Sequence, residues 1–296
     1  MSNNRFYDEI MQLEESKDMQ EILKRWNNFA RNRTQLPPNA PVVIPDMLWI
    51  AKSGYGKTNL LQLISEYLYE EKIMEFYGDV KFFEFSLAYC APEKPFRSFE
   101  QFQDALLNAA GFRSEFRGVI CIEIDEWMGH LRDTYFVDFL EYMSDHSENW
   151  HIIFVTECRE QEKLGKLEAM LDMYFRIDKV VFVLPETPVL CQYMERCLNK
   201  YGFYFSEKAR EILGETIDTL RNVEYFDGYK TLNMICTDLL YREFSSEAFG
   251  GFEITADMVR YYAKDSDFIK RTKNNMKKKN RIGFVTEEED NHAESL

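Results

Sequence analysis

Short apolar runs and longer stretches with a helical rhythm alternate through the middle of the chain. The runs are MLWIA at 47–51, DVKFFEFSLA at 79–88, GVICIEID at 118–125, WHIIFVTE at 150–157 and KVVFVLP at 179–185. Most are too continuously apolar to leave one face in water, and they read as strands buried on both sides. Between them TNLLQLISEYLYEEKIM, SFEQFQDALLNAAG at 98–111, TYFVDFLEYMSDH and QEKLGKLEAMLDMYF repeat apolar residues at helical spacing. Strands alternating with helices predict an α/β fold, a five-stranded parallel sheet flanked by helices and joined by right-handed crossovers.

The flanks have other patterns. Residues 5–30 read as one helix, with Ile10, Leu13, Met19, Ile22, Leu23 and Trp26 at roughly helical spacing. Four prolines in RTQLPPNAPVVIPD predict an extended linker and a boundary near residue 45. After Pro185 the strands stop. Four helical segments follow and predict a small all-α domain over 188–268, with Ser206 and Thr255 as N-caps. Residues 269–296 are first basic and then acidic, a composition that predicts a disordered tail.

Composition narrows the classes. Hydrophobic residues make up 45%, with 24 Phe and 17 Tyr, enough for a large aromatic core. A net charge of −15 opposes broad contact with nucleic acid, leaving only a local patch such as 270–281 for that role. The six cysteines form no C-x-x-C pair and stand at no zinc spacing to histidine, so they read as reduced thiols in a reducing compartment. The first residues hold no apolar leader, and no apolar stretch is long enough to span a bilayer. The expectation is a cytoplasmic protein without membrane association.

Chemistry concentrates at AKSGYGKT, residues 51–58, which follows a predicted strand and opens a predicted helix. The pattern [A/G]-x-x-x-x-G-K-[S/T] is that of a phosphate-binding loop. Gly54 and Gly56 let backbone N–H groups converge on one anion, and the helix N-terminus adds its dipole. Lys57 is placed to reach the β- and γ-phosphates of ATP, and the Thr58 hydroxyl to ligate Mg²⁺. Ala51, Lys52, Ser53, Tyr55 and Asn59 complete the expected nucleotide contacts.

A second element would be needed for hydrolysis. The run VICIEIDE at 119–126 ends in Asp125 and Glu126, at the edge where open α/β sheets bind ligands. Asp125 is expected to hold a Mg²⁺-bound water, and Glu126 to act as general base toward the attacking water. Glu123 alternates with Asp125 and is given no role.

In this order these elements resemble Walker A, Walker B and sensor 1 of the AAA+ superfamily of P-loop NTPases, with a helical lid behind. The resemblance implies that Thr156 is sensor 1 and orients water together with Glu126. It implies that Lys230, in FDGYKTL, is the sensor 2 base, and that Arg176 acts on a neighbouring subunit, with Arg159 and Arg132 as alternatives. The lid segment KYGFYFSEKAREIL is similar to that of small single-ring remodellers of the Rubisco-activase and stage V sporulation type. In that group a pore aromatic follows the second strand, near Tyr89 here.

Three functions remain open on these residues. One is a homo-oligomeric ring or spiral that hydrolyses ATP to remodel a partner protein. Another is a DNA-associated loader or transposition-type ATPase that uses the basic run 270–281. The third is a low-turnover nucleotide switch.

Overall fold

The computed structural model describes residues 4–35, 44–76, 81–86, 103–104, 116–223, 226–245 and 251–264. The predicted helix at 98–111, Tyr89, most of the proline linker and the tail from 265 onward lie outside the described residues, apart from 103–104. The chain divides into two units at Pro185/Glu186.

In the first unit, α1 (Arg5–Met11) and α2 (Lys17–Asn32) precede β1 (Asp46–Ile50) and α3 (Lys57–Glu70). Then come β2 (Phe82–Ser86), β3 (Gly118–Glu123), α4 (Thr134–Asp145), β4 (Trp150–Thr156), α5 (Gln161–Leu171) and β5 (Ile177–Val181). The five strands are all parallel, in the order β2-β3-β4-β1-β5. Both faces are covered, as the apolar runs require. Alternate residues go to opposite sides. Ile120, Ile122, Ile152 and Phe154 pack with α4 and α5, while Val119, Cys121, Ile153 and Val155 pack with α1, α2 and α3.

The N-terminal segment is two helices rather than one. The side-chain amide of Gln20 donates to the carbonyls of Met11 and Leu13, so the end of α1 is satisfied by a corner instead of a continuing helix. Met19, Ile22, Leu23 and Trp26 form the buried stripe of α2. The corner also covers the free edge of β5. The N–H of Val181 donates to Asp18 and that of Val183 to the Glu15 carbonyl, which removes an unpaired strand edge.

Beneath α2 a buried histidine lies beside a partly buried aspartate. His151 on β4 is 2% exposed, and neither ring nitrogen finds a hydrogen-bond partner among the described residues. Its ring meets Trp26 edge-on at 5.3 Å. Asp46 stands 3.8 Å from its Nδ1, beyond hydrogen-bond range, and accepts instead from the Ile152 N–H at 2.7 Å.

The second unit contains α6 (Thr187–Asn199), α7 (Glu207–Arg221), α8 (Gly228–Ser245) and α9 (Ala256–Lys264). Its core includes Leu190, Met194, Leu213, Ile217, Leu232 and Leu239. Ser206 caps α7 by accepting from the Ala209 N–H at 3.2 Å. Two-residue strands, β6 (Tyr204–Phe205) and β7 (Glu253–Ile254), pair in parallel and hold the entry to α7 beside the entry to α9. Among the described residues no helix is long and apolar enough to cross a membrane.

Candidate nucleotide-binding site

The phosphate loop lies between β1 and α3, at the carboxyl edge of the sheet. Gly54 and Gly56 have φ values of 74° and 89°, left-handed conformations that glycine enters without strain. Among the described residues the amides of Gly54, Gly56, Lys57 and Thr58 find no acceptor. Such a row of free donors at a helix N-terminus fits an oxyanion.

The loop already attracts carboxylates from its own chain. The Ser53 N–H donates to Glu157 Oε1 at 2.7 Å, and Lys57 Nζ pairs with Glu123 Oε1 at 3.0 Å. The Thr58 hydroxyl donates to Glu84 Oε1 at 3.2 Å. Glu84 and Glu123 share a side of the sheet by register. Glu84 pairs with Cys121 and Ser86 with Glu123, so the two carboxylates lie on the side that α3 covers. Burial raises the Glu84 carboxyl above its ordinary value, and Glu123 adds to the rise while Thr58 and Lys57 oppose it.

Asp125 and Glu126 stand just past β3 in a short 3₁₀ turn, Asp125–Trp127, rather than on the strand. Asp125 Oδ1 accepts from the Thr156 hydroxyl at 2.6 Å and from the Glu157 N–H at 2.8 Å. Thr156 is fully buried at the end of β4, and its backbone carbonyl accepts from the Ala51 N–H at 2.9 Å. The phosphate loop, Thr156 and Asp125 are therefore one hydrogen-bonded set. Glu126 is exposed beside it, and Lys52 and Asn59 are exposed on the loop and first helical turn.

Among the described residues no hydrogen bond ties the other expected residues to this set. Arg176 is exposed immediately before β5, at the amino edge of the sheet. A parallel five-residue strand separates it from the loop's edge by about 17 Å. Arg159 is tied to its own backbone, donating to the Phe182 carbonyl at 3.0 Å. Arg132 is exposed before α4. Lys230 is exposed in the first turn of α8 in the second unit.

Sequence reasoning missed Glu84, Glu123 and Glu157 as neighbours of the loop. Glu123 carried a signal, a charge inside an apolar strand two positions before Asp125.

No family model matches the chain, and no curated protein matches it. Solved structures do. A RuvB variant from Thermotoga maritima has a TM-score of 0.51 at 13% identity, covering 82% of this chain and 68% of its own. The FIGL-1 AAA domain has a TM-score of 0.51 at 15% identity, covering 85% and 82%. Domain III of the Thermotoga maritima replication initiation protein DnaA matches at 16% identity over 81% and 91%, with a TM-score of 0.48. The first two likenesses show the fold: a P-loop α/β domain of the AAA+ type followed by a helical unit. They single out no subgroup within it, the Rubisco-activase type included.

Proposed function

We propose that this chain is an AAA+-type ATPase that binds ATP with Mg²⁺ at Ala51–Asn59, hydrolyses it, and uses the cycle to act on a partner protein as a homo-oligomer. The observation that carries this reading is the joined set at one sheet edge. Among the described residues four successive or near-successive amides, Gly54, Gly56, Lys57 and Thr58, find no acceptor where α3 opens, and Lys57, Asp125 and Thr156 are fixed around them by hydrogen bonds. Mg²⁺ would supply charge neutralisation at the phosphates. Among the described residues no three acidic, histidine or cysteine side chains converge to hold a metal alone, which suits a cation shared with phosphate oxygens.

Each side chain then has a role. The loop amides and Lys57 orient the phosphates. Thr58 and Asp125 would hold the cation or its waters. Thr156, buried and bonded to Asp125, would act through that carboxylate to orient a water that Glu126 deprotonates. Arg176 supports the oligomer because it lies at the wrong edge to serve its own loop. The DNA-associated reading rests on 270–281, outside the described residues.

The test is nucleotide binding and turnover in two variants. Lys57→Ala should lose ATP affinity, and Glu126→Gln should bind ATP yet lose hydrolysis by about 100-fold or more. Unchanged ATP affinity in Lys57→Ala would overturn the reading. Particle size of Glu126→Gln with ATP, by light scattering and electron microscopy, tests the oligomer, and a monomer would remove Arg176 from the site.

A further inference from the structure

The ammonium of Lys57 is held by a carboxylate that the proposed reaction does not use. Glu123 Oε1 sits 3.0 Å from Nζ, and the lysine is largely covered while Glu123 is half exposed. Glu84 stands on the same side of the sheet, with the Thr58 hydroxyl donating to it at 3.2 Å. Lys57 and Thr58 are consecutive residues, so both carboxylates lie against the start of α3, where the free amides are.

This arrangement has two consequences for an anion at the loop. Metal-free ATP would have to displace Glu123 from Lys57 and then stay beside two carboxylates. Its charge repels both. A divalent cation on the phosphates reverses the sign of that contact. The Thr58 hydroxyl is already turned for this. By donating its proton to Glu84 it leaves its oxygen lone pairs for a cation, as orienting groups behind a ligand do.

We infer that Glu123 is a specificity-determining residue that makes the phosphate loop accept metal-bound nucleotide and exclude free nucleotide, with Glu84 positioning Thr58. Glu123 acts as a gate. It holds Lys57 at 3.0 Å and yields only when the incoming phosphates bring their own positive charge. The inference rests on the nucleotide-binding reading of the loop.

The experiment measures equilibrium binding of a fluorescent ATP analogue to the full chain, once in EDTA and once in Mg²⁺, without relying on turnover. Wild type should bind on the order of 100-fold more tightly with Mg²⁺. Glu123→Gln, which keeps the side chain's size, should raise the metal-free affinity on the order of tenfold and so shrink the Mg²⁺ dependence. Glu123→Ala should do the same if the larger change is tolerated, and circular dichroism of both variants verifies folding. Glu84→Gln should mainly weaken the Mg²⁺-dependent binding. A wild type that binds with equal affinity in EDTA and Mg²⁺ overturns the gate while leaving nucleotide binding intact. A Glu123→Gln variant whose metal-free affinity is unchanged or lower overturns it as well. A wild type that binds under neither condition overturns the nucleotide reading itself.

Discussion

Asp46 and His151 make a pH prediction whose two halves have opposite signs. Burial pushes the His151 imidazole from 6.5 down to about 3, because nothing on β4 or α2 accepts its proton. Burial pushes the Asp46 carboxyl from 3.8 up to about 7, opposed only by the Ile152 N–H. Between pH 3 and 6.5 the unfolded chain therefore binds a proton at residue 151 that the folded chain refuses, so stability from this site rises with pH. Between pH 3.8 and 7 the folded chain keeps a proton at residue 46 that the unfolded chain releases, so stability from this site falls with pH. Each slope is about 1.4 kcal/mol per pH unit. In the shared window they nearly cancel.

Single substitutions should uncover them. His151→Phe keeps a ring against Trp26 and removes two unpaired nitrogens, so it should stabilise the first unit at neutral pH by about 1–3 kcal/mol. Its stability relative to wild type should then fall by about 2 kcal/mol between about pH 5 and the upper end of the histidine window. Asp46→Asn should show the reverse, gaining on wild type by about 3 kcal/mol from about pH 5 to neutrality. Urea melts followed by circular dichroism at several pH values measure both, and each difference from wild type cancels the background of other carboxylates. Two difference curves of the same sign, or two flat ones, would refute the reasoning. An ion-paired Asp46–His151 would raise the histidine's pKa and invert its slope.

Two further outcomes follow from local geometry. A Cβ added at Gly118 would stand 2.6 Å from the carbonyl of Lys81, just before β2, so Gly118→Ala should destabilise the β2–β3 pairing by about 1–3 kcal/mol, read as a lower urea midpoint. Ser206→Ala removes the cap of α7 and should cost the helical unit about 1 kcal/mol in thermal unfolding while leaving nucleotide affinity unchanged.

What the sequence made legible was what depends on neighbours along the chain. The loop AKSGYGKT is local, and so are the apolar runs that became β1 to β5. Thr156 and Asp125 were named separately, and strand pairing then joined them by a 2.6 Å bond. What depends on register was hidden. Glu123 reaches Lys57 across 66 residues, and Glu84 reaches Thr58 across 26, through the alignment of β2 with β3. The break between α1 and α2 was hidden for a similar reason. Apolar spacing continues through it, and only the bonds from Gln20 show where the helix ends. β6 and β7 are two residues each, too short for any alternation to appear. β5 starts at Ile177, two residues before the apolar run, because Ile177 and Asp178 are half-buried edge positions with a polar pattern.

The N-terminal helices bear on the site through α3. That helix carries Lys57 and Thr58 at its start and is gripped near its other end. Asn4, which caps α1, donates from its side chain to Glu71 just past α3 at 2.6 Å. Tyr67 on α3 stacks on Trp26 of α2 at 6.5 Å and lies 6.3 Å from Tyr7 of α1. Leu60, Ile64 and Leu68 are fully buried in the same core cluster. A phosphate loop can keep its amides convergent only if the helix behind it does not rotate or slide. Here the sheet fixes one side of α3, and α1 with α2 fixes the other. The N-terminal segment is thus part of the scaffold of the proposed nucleotide site, and loosening it would act on the loop from the far end of α3.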